Sequence, residues 1–426
     1  MNSTRRIGCI GEAGQRVGLI GLALAALLAG ASTGICADWP QFRGPNRDGK
    51  SRETGLLKAW PATGPKLLWT VEDLGHGFAS VAVADGMLYT TGLEGKAGYL
   101  YAYDLDGNPK WKKPYGPGWT GGHNGTRGTP TVDKDAIYVM SGHGRVVCFN
   151  AKTGKRKWAV DTMKKFGARQ IRWGITESLL VVDEKLICTP GGKNAGVVAL
   201  NKKTGKTIWV CKQLSDPSGY CSPILVRRGG LQIIVTLTAK GLVGIDAKTG
   251  RLLWKKGRKV SYDIHAVSPV YEDGRIYVTS GYGGERGAMF ELSKDGKAIT
   301  PKWTDKKLDC QHNGTFVHEG YVYGTSHKNM RGNWLCLNLK TGKVAAEIPA
   351  VRKASIIYAD GMIYGYGENG TVGLVKASPT DFRLVSSFKV TKGKREHWAH
   401  PTVAHGRLYI RHGKTLMAYD IRAVSD

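Results

Sequence analysis

Residues 199–209 read ALNKKTGKTIW, and close variants of this phrase occur as CFNAKTGKRKW at 148–158 and as GIDAKTGRLLW at 244–254. Each copy places an Asn or Asp, a Thr-Gly pair, a basic residue and a Trp in the same order. The Asn or Asp side chain can cap a turn, and the Gly can take the left-handed backbone conformation that closes a tight hairpin. The phrase therefore predicts a β-hairpin whose second strand carries the Trp.

The tryptophans of this phrase recur along most of the chain. Successive copies are 42, 47, 51, 45 and 49 residues apart, at Trp69, Trp111, Trp158, Trp209, Trp254 and Trp303. Two further copies lack the Trp: CLNLKTGKVAAEI at 336–348, where we align Val344 with it, and FRLVSSFKV at 382–390, where we align Phe388. The chain thus contains eight similar units.

Each unit contains four short segments that alternate with a period of two and are rich in Val, Ile and Tyr. This pattern predicts strands rather than helices. A unit of about 40 to 50 residues with four strands has the size of a propeller blade. We predict an all-β fold, an eight-bladed β-propeller with four-stranded antiparallel blades, in which the repeat tryptophans are structural and lie between one blade and the next.

The two ends of the chain are predicted to close the ring together. The stretch HPTVAHGRLYIRHGKTLMAYDIRA at 400–423 supplies three strands, and GPKLLWTVED at 64–73 supplies one. Joining them completes the last blade without a free sheet edge at the seam. We assign 65–426 to the propeller and 38–64 to an N-terminal arm that lies over a face of the ring without regular structure.

The first 37 residues have the layout of a secretory signal peptide. Three arginines precede or flank the apolar run VGLIGLALAALLAG, and small residues lead to Ala37. We expect cleavage near Ala37 and export to the periplasm or cell envelope. Ile35 and Ala37 flank Cys36, an order that does not match a lipoprotein signal.

Histidines and aromatic residues cluster just before the predicted innermost strands, whose entry loops all open on one face of a propeller. The candidates for this funnel, beside which Phe78 and Gln311 also stand, are His76, His123, Arg172, Trp173, Tyr220, His265, His312, His397, Trp398 and His400. Such a mouth can hold an anionic or carbohydrate ligand, or a metal. The alternative is that these side chains are solvated or cap neighbouring blades.

Catalytic and metal-binding patterns are absent from the sequence. We find no Ser/His/Asp set, no paired carboxylates at a telling spacing and no Cys/His spacing typical of zinc, so we predict no catalytic residue and no metal site. Cys148 and Cys336 occupy a small-residue position of the repeat and are expected to be packed. Cys211 and Cys221 can form a disulfide in an oxidising compartment, but the spacing does not decide it.

Positive charge is the other strong feature. The formal net charge is +28, and removing residues 1–37, which carry a net +2, leaves +26. Much of it lies in the hairpins, at Lys152, Lys155, Arg156, Lys157, Lys202, Lys203, Lys206, Lys248, Arg251, Lys340 and Lys343. These residues can attract an anionic envelope surface or polysaccharide, or can simply keep a large β-protein soluble. We expect no nucleic-acid partner, because no recognition motif accompanies the charge.

The phrase ALNKKTGKTIW resembles the tryptophan-docking repeat of PQQ-like, quinoprotein-type β-propeller proteins, and the resemblance covers nearly all of the chain after residue 37. The same propeller serves PQQ-dependent alcohol dehydrogenases and non-catalytic proteins such as the outer-membrane assembly factor BamB, so fold alone does not choose between them. The resemblance implies for the dehydrogenases two adjacent, disulfide-bonded cysteines and acidic and amide ligands for calcium. This sequence has no adjacent Cys pair.

Three functions follow as hypotheses. The first is a non-catalytic, BamB-like scaffold that binds envelope proteins through loops or exposed strands, without cofactor and as a monomer. The second is a binding module for an anionic or carbohydrate ligand in the funnel. The third is a PQQ-dependent oxidoreductase that holds PQQ with calcium.

Overall fold

The computed structural model describes residues 36–423, so the predicted signal peptide, apart from its last two residues, lies outside the described residues. The described chain forms eight four-stranded antiparallel sheets. The first strands of several neighbouring sheets contact each other. The predicted eight-bladed β-propeller is confirmed.

Blades 1 to 7 each use four consecutive strands, and blade 8 combines the last three strands with the first. The first strand of the chain is β1 (Leu67–Val71). Blades 1 and 2 contain β2 (Ala82–Ala84), β3 (Met87–Glu94), β4 (Ala97–Asp104), β5 (Pro109–Pro117), β6 (Thr131–Asp133), β7 (Ala136–Met140), β8 (Arg145–Asn150) and β9 (Arg156–Asp161). Blades 3 and 4 contain β10 (Leu180–Val182), β11 (Lys185–Cys188), β12 (Val198–Asn201), β13 (Thr207–Val210), β14 (Ile224–Arg228), β15 (Leu231–Thr238), β16 (Gly241–Asp246) and β17 (Leu252–Gly257).

The second half of the ring repeats this order. Blades 5 and 6 contain β18 (Val270–Glu272), β19 (Arg275–Val278), β20 (Gly287–Leu292), β21 (Ile299–Asp305), β22 (Phe316–His318), β23 (Tyr321–Thr325), β24 (Trp334–Asn338) and β25 (Val344–Ile348). Blades 7 and 8 contain β26 (Ala354–Ala359), β27 (Met362–Gly367), β28 (Thr371–Lys376), β29 (Leu384–Lys389), β30 (Thr402–Ala404), β31 (Arg407–His412) and β32 (Thr415–Asp420). A short helix, α1 (Thr162–Phe166), and a 3-10 turn (Ser261–Asp263) lie in the loops. Within residues 36–423, no helix has the length and apolar character needed to span a membrane.

The seam of the ring is closed as predicted from the sequence. Strand β1 pairs antiparallel with β32, and Trp69 lies opposite Ala418. The eighth sheet therefore has the order β1-β32-β31-β30. Because the two chain ends share one sheet, opening the ring requires breaking a full strand pairing.

The repeat tryptophans bind each blade to the next. Each indole N–H donates a hydrogen bond of 2.8 to 3.2 Å to a backbone carbonyl in the hairpin of the following blade, namely at Leu105, Ala151, Lys202, Ala247, Gly296 and Leu339. In five of these contacts the hairpin glycine lies against the ring; an added Cβ on Gly250, for example, would lie 2.6 Å from Trp209. The glycine thus serves both the turn and the docking of the Trp.

The strand register corrects the alignment of the two copies that lack a Trp. Every Trp follows a β-bulge and lies opposite a fixed position of the third strand, as Trp158 lies opposite Cys148. At the same position in blades 6 and 7 the register places Ala346 and Ser386, so the assignment of Val344 and Phe388 was wrong by two residues. Val344 and Phe388 are the large apolar residues nearest to the position, but the bulge in the strand pairing shifts the count by two.

Phe388 docks on the arm instead. An added Cβ on Gly64 would lie 2.5 Å from the Phe388 ring, and Trp60 packs edge-on against Phe388 at a centroid distance of 5.4 Å. The arm therefore contributes to blade 7 a glycine-on-aromatic contact of the kind that hairpins provide elsewhere.

Substituting Gly250 by Ala is expected to destabilise the protein more than the same change at Gly86. Both glycines have a positive φ, +76° and +72°, but Gly86 faces open space and Gly250 faces Trp209. Gly86→Ala should cost about 1 kcal/mol of backbone strain. Gly250→Ala should cost a further 1 to 3 kcal/mol, roughly, for displacing the indole. Urea unfolding midpoints of the two variants measure the difference, and equal midpoints would contradict the docking role of Gly250.

The N-terminal arm enters the axis of the ring rather than lying over a face. Trp39 pairs with Val83 of blade 1, and the guanidinium of Arg47 donates to the carbonyls of Ser178 and Leu179 in blade 3. Arg43 donates to the Thr315 carbonyl in blade 6. Arg43 and Arg47 are each 2% exposed. The arm thus ties opposite sides of the ring together, using backbone carbonyls at the inner strand ends as acceptors.

The cysteines of the propeller are packed in the core, whereas Cys36 at the start of the described chain is exposed. Cys148 and Cys336 are fully buried, as their position in the repeat predicted. Cys211 and Cys221 are free thiols and belong to two different core clusters, between blades 3 and 4 and between blades 4 and 5. The structure therefore contains no disulfide between them.

Candidate functional site

An axial cavity of about 510 Å³ lies where the loops entering the inner strands converge. Seven of the ten candidate residues line it: His123, Arg172, Trp173, Tyr220, His312, Trp398 and His400. In an antiparallel blade this end of the strands is opposite the Thr-Gly hairpins, so the cavity and the hairpin lysines lie on opposite faces of the ring.

Three candidate residues face elsewhere. His265 is fully buried while its neighbours Ile264 and Ala266 line the cavity, which follows from the alternation of side chains along extended backbone. His76 is 8% exposed, and its backbone pairs with Leu93 of blade 1. His397 stacks on His412 at 3.7 Å and is hydrogen-bonded to the hydroxyl of Tyr366. His265 and His76 are thus buried away from the cavity, whereas His397 is half-buried and lines a neighbouring pocket with Glu368, Arg395, Glu396 and Trp398.

Trp398 is the centre of one aromatic wall of the cavity. Its ring centroid lies 5.0 Å from Phe78, 5.1 Å from His123 and 5.3 Å from His312. Phe42 of the arm contacts His400 edge-on at 5.0 Å and contributes to the lining. The arm therefore completes the site that the propeller loops begin.

A second aromatic group lies on the loops that enter blades 3, 4 and 5. Trp173 meets Tyr262 at an interplanar angle of 88° and Tyr220 at 59°. The guanidinium of Arg172 lies 4.8 Å from the Trp173 ring and 5.4 Å from the Tyr262 ring. Such cation–π contacts orient the Arg172 side chain while leaving its N–H groups available.

Arg127 is a second cation in the lining, and it is largely buried. Its guanidinium donates to the backbone carbonyls of Trp173, His123 and Gly122. Burial lowers the pKa of Arg127 to about 10, so the side chain still carries its charge at neutral pH. Among the described lining residues there is no carboxylate to balance either arginine.

Two of the cavity histidines, His312 and His400, have lowered pKa values. Burial lowers the pKa of His400 to about 3 and also lowers the pKa of His312. The Nε2 atom of His400 lies 2.9 Å from the His312 carbonyl, so this nitrogen carries the proton. Glu368, just outside the lining, pairs with His312 at 3.2 Å and with Lys353 at 2.6 Å. The two arginines of the lining are Arg127 and Arg172.

Several lining residues escaped the sequence analysis: Phe42, Arg127, Thr176, Ser222, Tyr262, Ile264, Ala266 and Tyr282. Tyr282 lies in the loop between β19 and β20, and such loops open on the same face as the entry loops. Reading both sets of loops would have found Tyr282. Nothing in the arm sequence distinguishes Phe42.

The site does not fit calcium with a quinone. Residues 36–423 contain no group of three or more His, Cys, Asp or Glu side chains placed to hold a metal ion. The described lining offers imidazole, guanidinium, hydroxyl and amide groups but no carboxylate, whereas calcium selects oxygen ligands and carboxylates above all. We derive no chemistry through such a group.

The hairpin lysines on the opposite face are partly paired. Lys202 lies 2.8 Å from Asp133, Lys203 lies 3.4 Å from Glu184, and Lys157 pairs with Asp135. The pairs of Lys203 and Lys157 are exposed and contribute little to stability, whereas the Lys202–Asp133 pair is half-buried. They reduce the net charge of this face without removing it.

Comparison with known proteins gives one family and two kinds of relative. The family model described as outer membrane protein assembly factor BamB matches residues 51–158 and 96–347. BamB of Burkholderia pseudomallei is 23% identical over 321 residues, which is 69% of this chain and 74% of that protein. The quinoprotein alcohol dehydrogenase PedH of Pseudomonas putida is 27% identical over 186 residues, 41% of this chain but only 30% of PedH. The chain therefore spans less than a third of that dehydrogenase.

Solved structures share the fold with both kinds of relative. BamB from Moraxella catarrhalis superposes with a TM-score of 0.60 at 15% identity, over 84% of this chain and 98% of that one. The quinohemoprotein alcohol dehydrogenase from Comamonas testosteroni gives a TM-score of 0.63 at 14% identity, over 91% and 81%. At these identities the likeness concerns the fold alone.

Proposed function

Because the chain belongs to the PQQ-like repeat family whose model is described as outer membrane protein assembly factor BamB, we propose that it is a non-catalytic, exported β-propeller scaffold. It holds protein partners in the periplasm or cell envelope, with a role in outer-membrane protein assembly as the specific form of this function. The loops around the axial cavity and the outer strand edges of the blades are the surfaces available for contact.

The observation that carries this proposal is the extent of the similarity. The match to BamB covers 74% of that protein, whereas the matches to two dehydrogenases, PedH and the quinoprotein ethanol dehydrogenase of Pseudomonas aeruginosa, cover 30% and 25%. The composition of the cavity lining points the same way, since no pair of carboxylates or nucleophile with its base lies there.

Site-specific photo-crosslinking in the native host tests the scaffold function. A crosslinker at Tyr262, which is 65% exposed beside the cavity, is compared with one at Ile208, which is 44% exposed on β13, and one at Lys203 in a hairpin. We expect one or more envelope proteins to crosslink at Tyr262 or Ile208 in stoichiometric amounts, and not at Lys203. Absence of any envelope protein at all three positions would contradict a scaffold.

Reconstitution tests the dehydrogenase alternative. The purified protein, incubated with PQQ and calcium, is expected to show no alcohol-dependent dye reduction, because the lining lacks carboxylate ligands for the metal. A quinoprotein alcohol dehydrogenase reconstituted in the same buffer is the positive control. Sustained turnover by this protein would overturn the non-catalytic assignment.

A further inference from the structure

We propose that the axial cavity binds an acidic sugar, a pyranose ring that carries a carboxylate. The proposal rests on the cavity lining and is independent of the scaffold function, which concerns protein partners.

The charge of the lining selects an anion. Arg127 and Arg172 both line the cavity, and no carboxylate among the described residues forms an ion pair with either. Of the acids nearby, Glu368 pairs with Lys353 at 2.6 Å, Asp263 pairs with Lys240 at 2.9 Å, and Glu396, outside the lining, lies 3.9 Å from His123. A cavity with two unbalanced guanidinium groups and no lining acid favours a ligand of opposite charge.

Arg172 is the residue placed to contact the ligand directly. Its guanidinium is exposed and is held against Trp173 and Tyr262, and it makes no hydrogen bond within residues 36–423. Its planar fork of donors matches a carboxylate in geometry. Arg127, whose donors are engaged by backbone carbonyls, contributes its charge from behind.

The arrangement of aromatic rings favours a sugar over a flat aromatic anion. The rings around the cavity are inclined to one another, at 88° for Trp173 and Tyr262 and at 42° for Phe78 and Trp398. No parallel pair among the described lining residues provides a slot for a planar ligand. Inclined rings instead present several faces to the C–H surfaces of a puckered ring.

Polar side chains between the rings suit a ligand with many hydroxyl groups. Ser222, Tyr282 and Gln311 all line the cavity. The Oε1 atom of Gln311 accepts from Lys353, and its amide group also contacts the Tyr282 hydroxyl, so these side chains form a linked polar edge of the cavity. A cavity of about 510 Å³ has the size of a small-molecule site and accommodates one or two sugar units.

Titration of tryptophan fluorescence with defined ligands tests the proposal, since Trp173 and Trp398 lie in the lining. The probes are glucuronate, galacturonate and digalacturonate, with a neutral disaccharide and benzene-1,3,5-tricarboxylate for comparison. We expect saturable binding of at least one uronate, at least about tenfold weaker binding of the neutral disaccharide, and weakening at high salt.

Two variants separate this site from the basic hairpin face. Arg172→Gln is expected to weaken uronate binding by about tenfold, because it removes a charge-assisted hydrogen bond, while Lys203→Gln on the opposite face should leave it within about twofold. Both side chains are exposed, so the fold should be retained, and equal melting temperatures verify this.

Several results would overturn the proposal. One is that no uronate binds saturably, and another is that wild type and Arg172→Gln bind uronate with equal affinity. The others are that only Lys203→Gln loses uronate binding, or that the aromatic tricarboxylate binds more tightly than the uronates. None of these results bears on protein crosslinking at Tyr262, so failure of the ligand site is distinguishable from failure of the scaffold.

Discussion

Lowering the pH from about 7 to about 4.5 is expected to reduce the free energy of unfolding by several kcal/mol, because three buried histidines, His76, His265 and His400, resist protonation in the folded protein. His76 is 8% exposed and His265 is fully buried. Burial, helped by nearby arginines, lowers the pKa of both from 6.5 to about 4. Below pH 6.5 the unfolded chain therefore binds protons that the folded chain does not, and stability falls as the pH falls. Each shift corresponds to about 3 kcal/mol.

Glu177 acts in the opposite direction over the same pH range. It is 1% exposed, and burial raises its pKa from 4.5 to about 7, against the effect of hydrogen bonds from Thr189 and the charge of Arg47. The folded protein thus holds a proton that the unfolded chain releases above pH 4.5, so this group favours the folded state on the acid side. The three histidines together outweigh this one carboxyl group, so lowering the pH still reduces the free energy of unfolding.

Urea midpoints at a series of pH values measure these contributions. His265→Met removes one histidine with a lowered pKa, so the free energy of unfolding should fall less steeply as the pH is lowered. Glu177→Gln removes the group with the raised pKa, so the free energy of unfolding should fall more steeply. If both variants show the same pH dependence as the wild type, neither group titrates as burial requires.

The fold was predictable because each repeat carries its own local signals. The Asn/Asp, Gly and Trp of the phrase at 199–209 mark a turn, a strand and a contact with the next blade, and all three appear in the structure. The position of Ala346 was missed, because a β-bulge between Cys336 and Leu337 fixes the register and the sequence does not mark bulges.

The site was predictable only in part, for two physical reasons. The cavity opens on the face of the ring that the sequence indicated, because the loops before all inner strands open together. The direction of each side chain depends on local alternation along the backbone, so His265 points away from the cavity while Ile264 and Ala266 line it. The arm was harder still. Arginines are rarely buried, and the carbonyls that accept from Arg43 and Arg47 come together only when the ring has closed.

Replacing Arg411 by Met is expected to destabilise the protein by about 2 to 4 kcal/mol, because Arg411 binds blade 8 to blade 1 from inside. The residue lies on β31 and is 2% exposed. Its guanidinium donates to the carbonyl of Gly75 at 2.8 Å, to the hydroxyl of Thr90 at 2.9 Å and to the carbonyl of Thr91. Methionine fills similar space but leaves these acceptors without their donor, and removing the desolvated charge offsets only part of that loss.

Arg407 provides a matched control for Arg411, since it lies on the same strand and also reaches blade 1. Its guanidinium contacts the Leu105 carbonyl and lies 3.0 Å from Asp106, whose side chain is 77% exposed. Arg407→Met should therefore cost about 1 kcal/mol or less. If Arg411 holds blade 8 to blade 1, the Arg411→Met variant must lose more free energy of unfolding in urea than the Arg407→Met variant. The same role requires that Arg411→Lys, which keeps the charge but not the five-donor fork, fall between Met and the wild type. If Arg411→Lys is as stable as the wild type, the positive charge alone is enough to hold blade 8 to blade 1. If Arg411→Met loses no more stability than Arg407→Met, the strand pairing of β1 with β32 holds the blades together without Arg411.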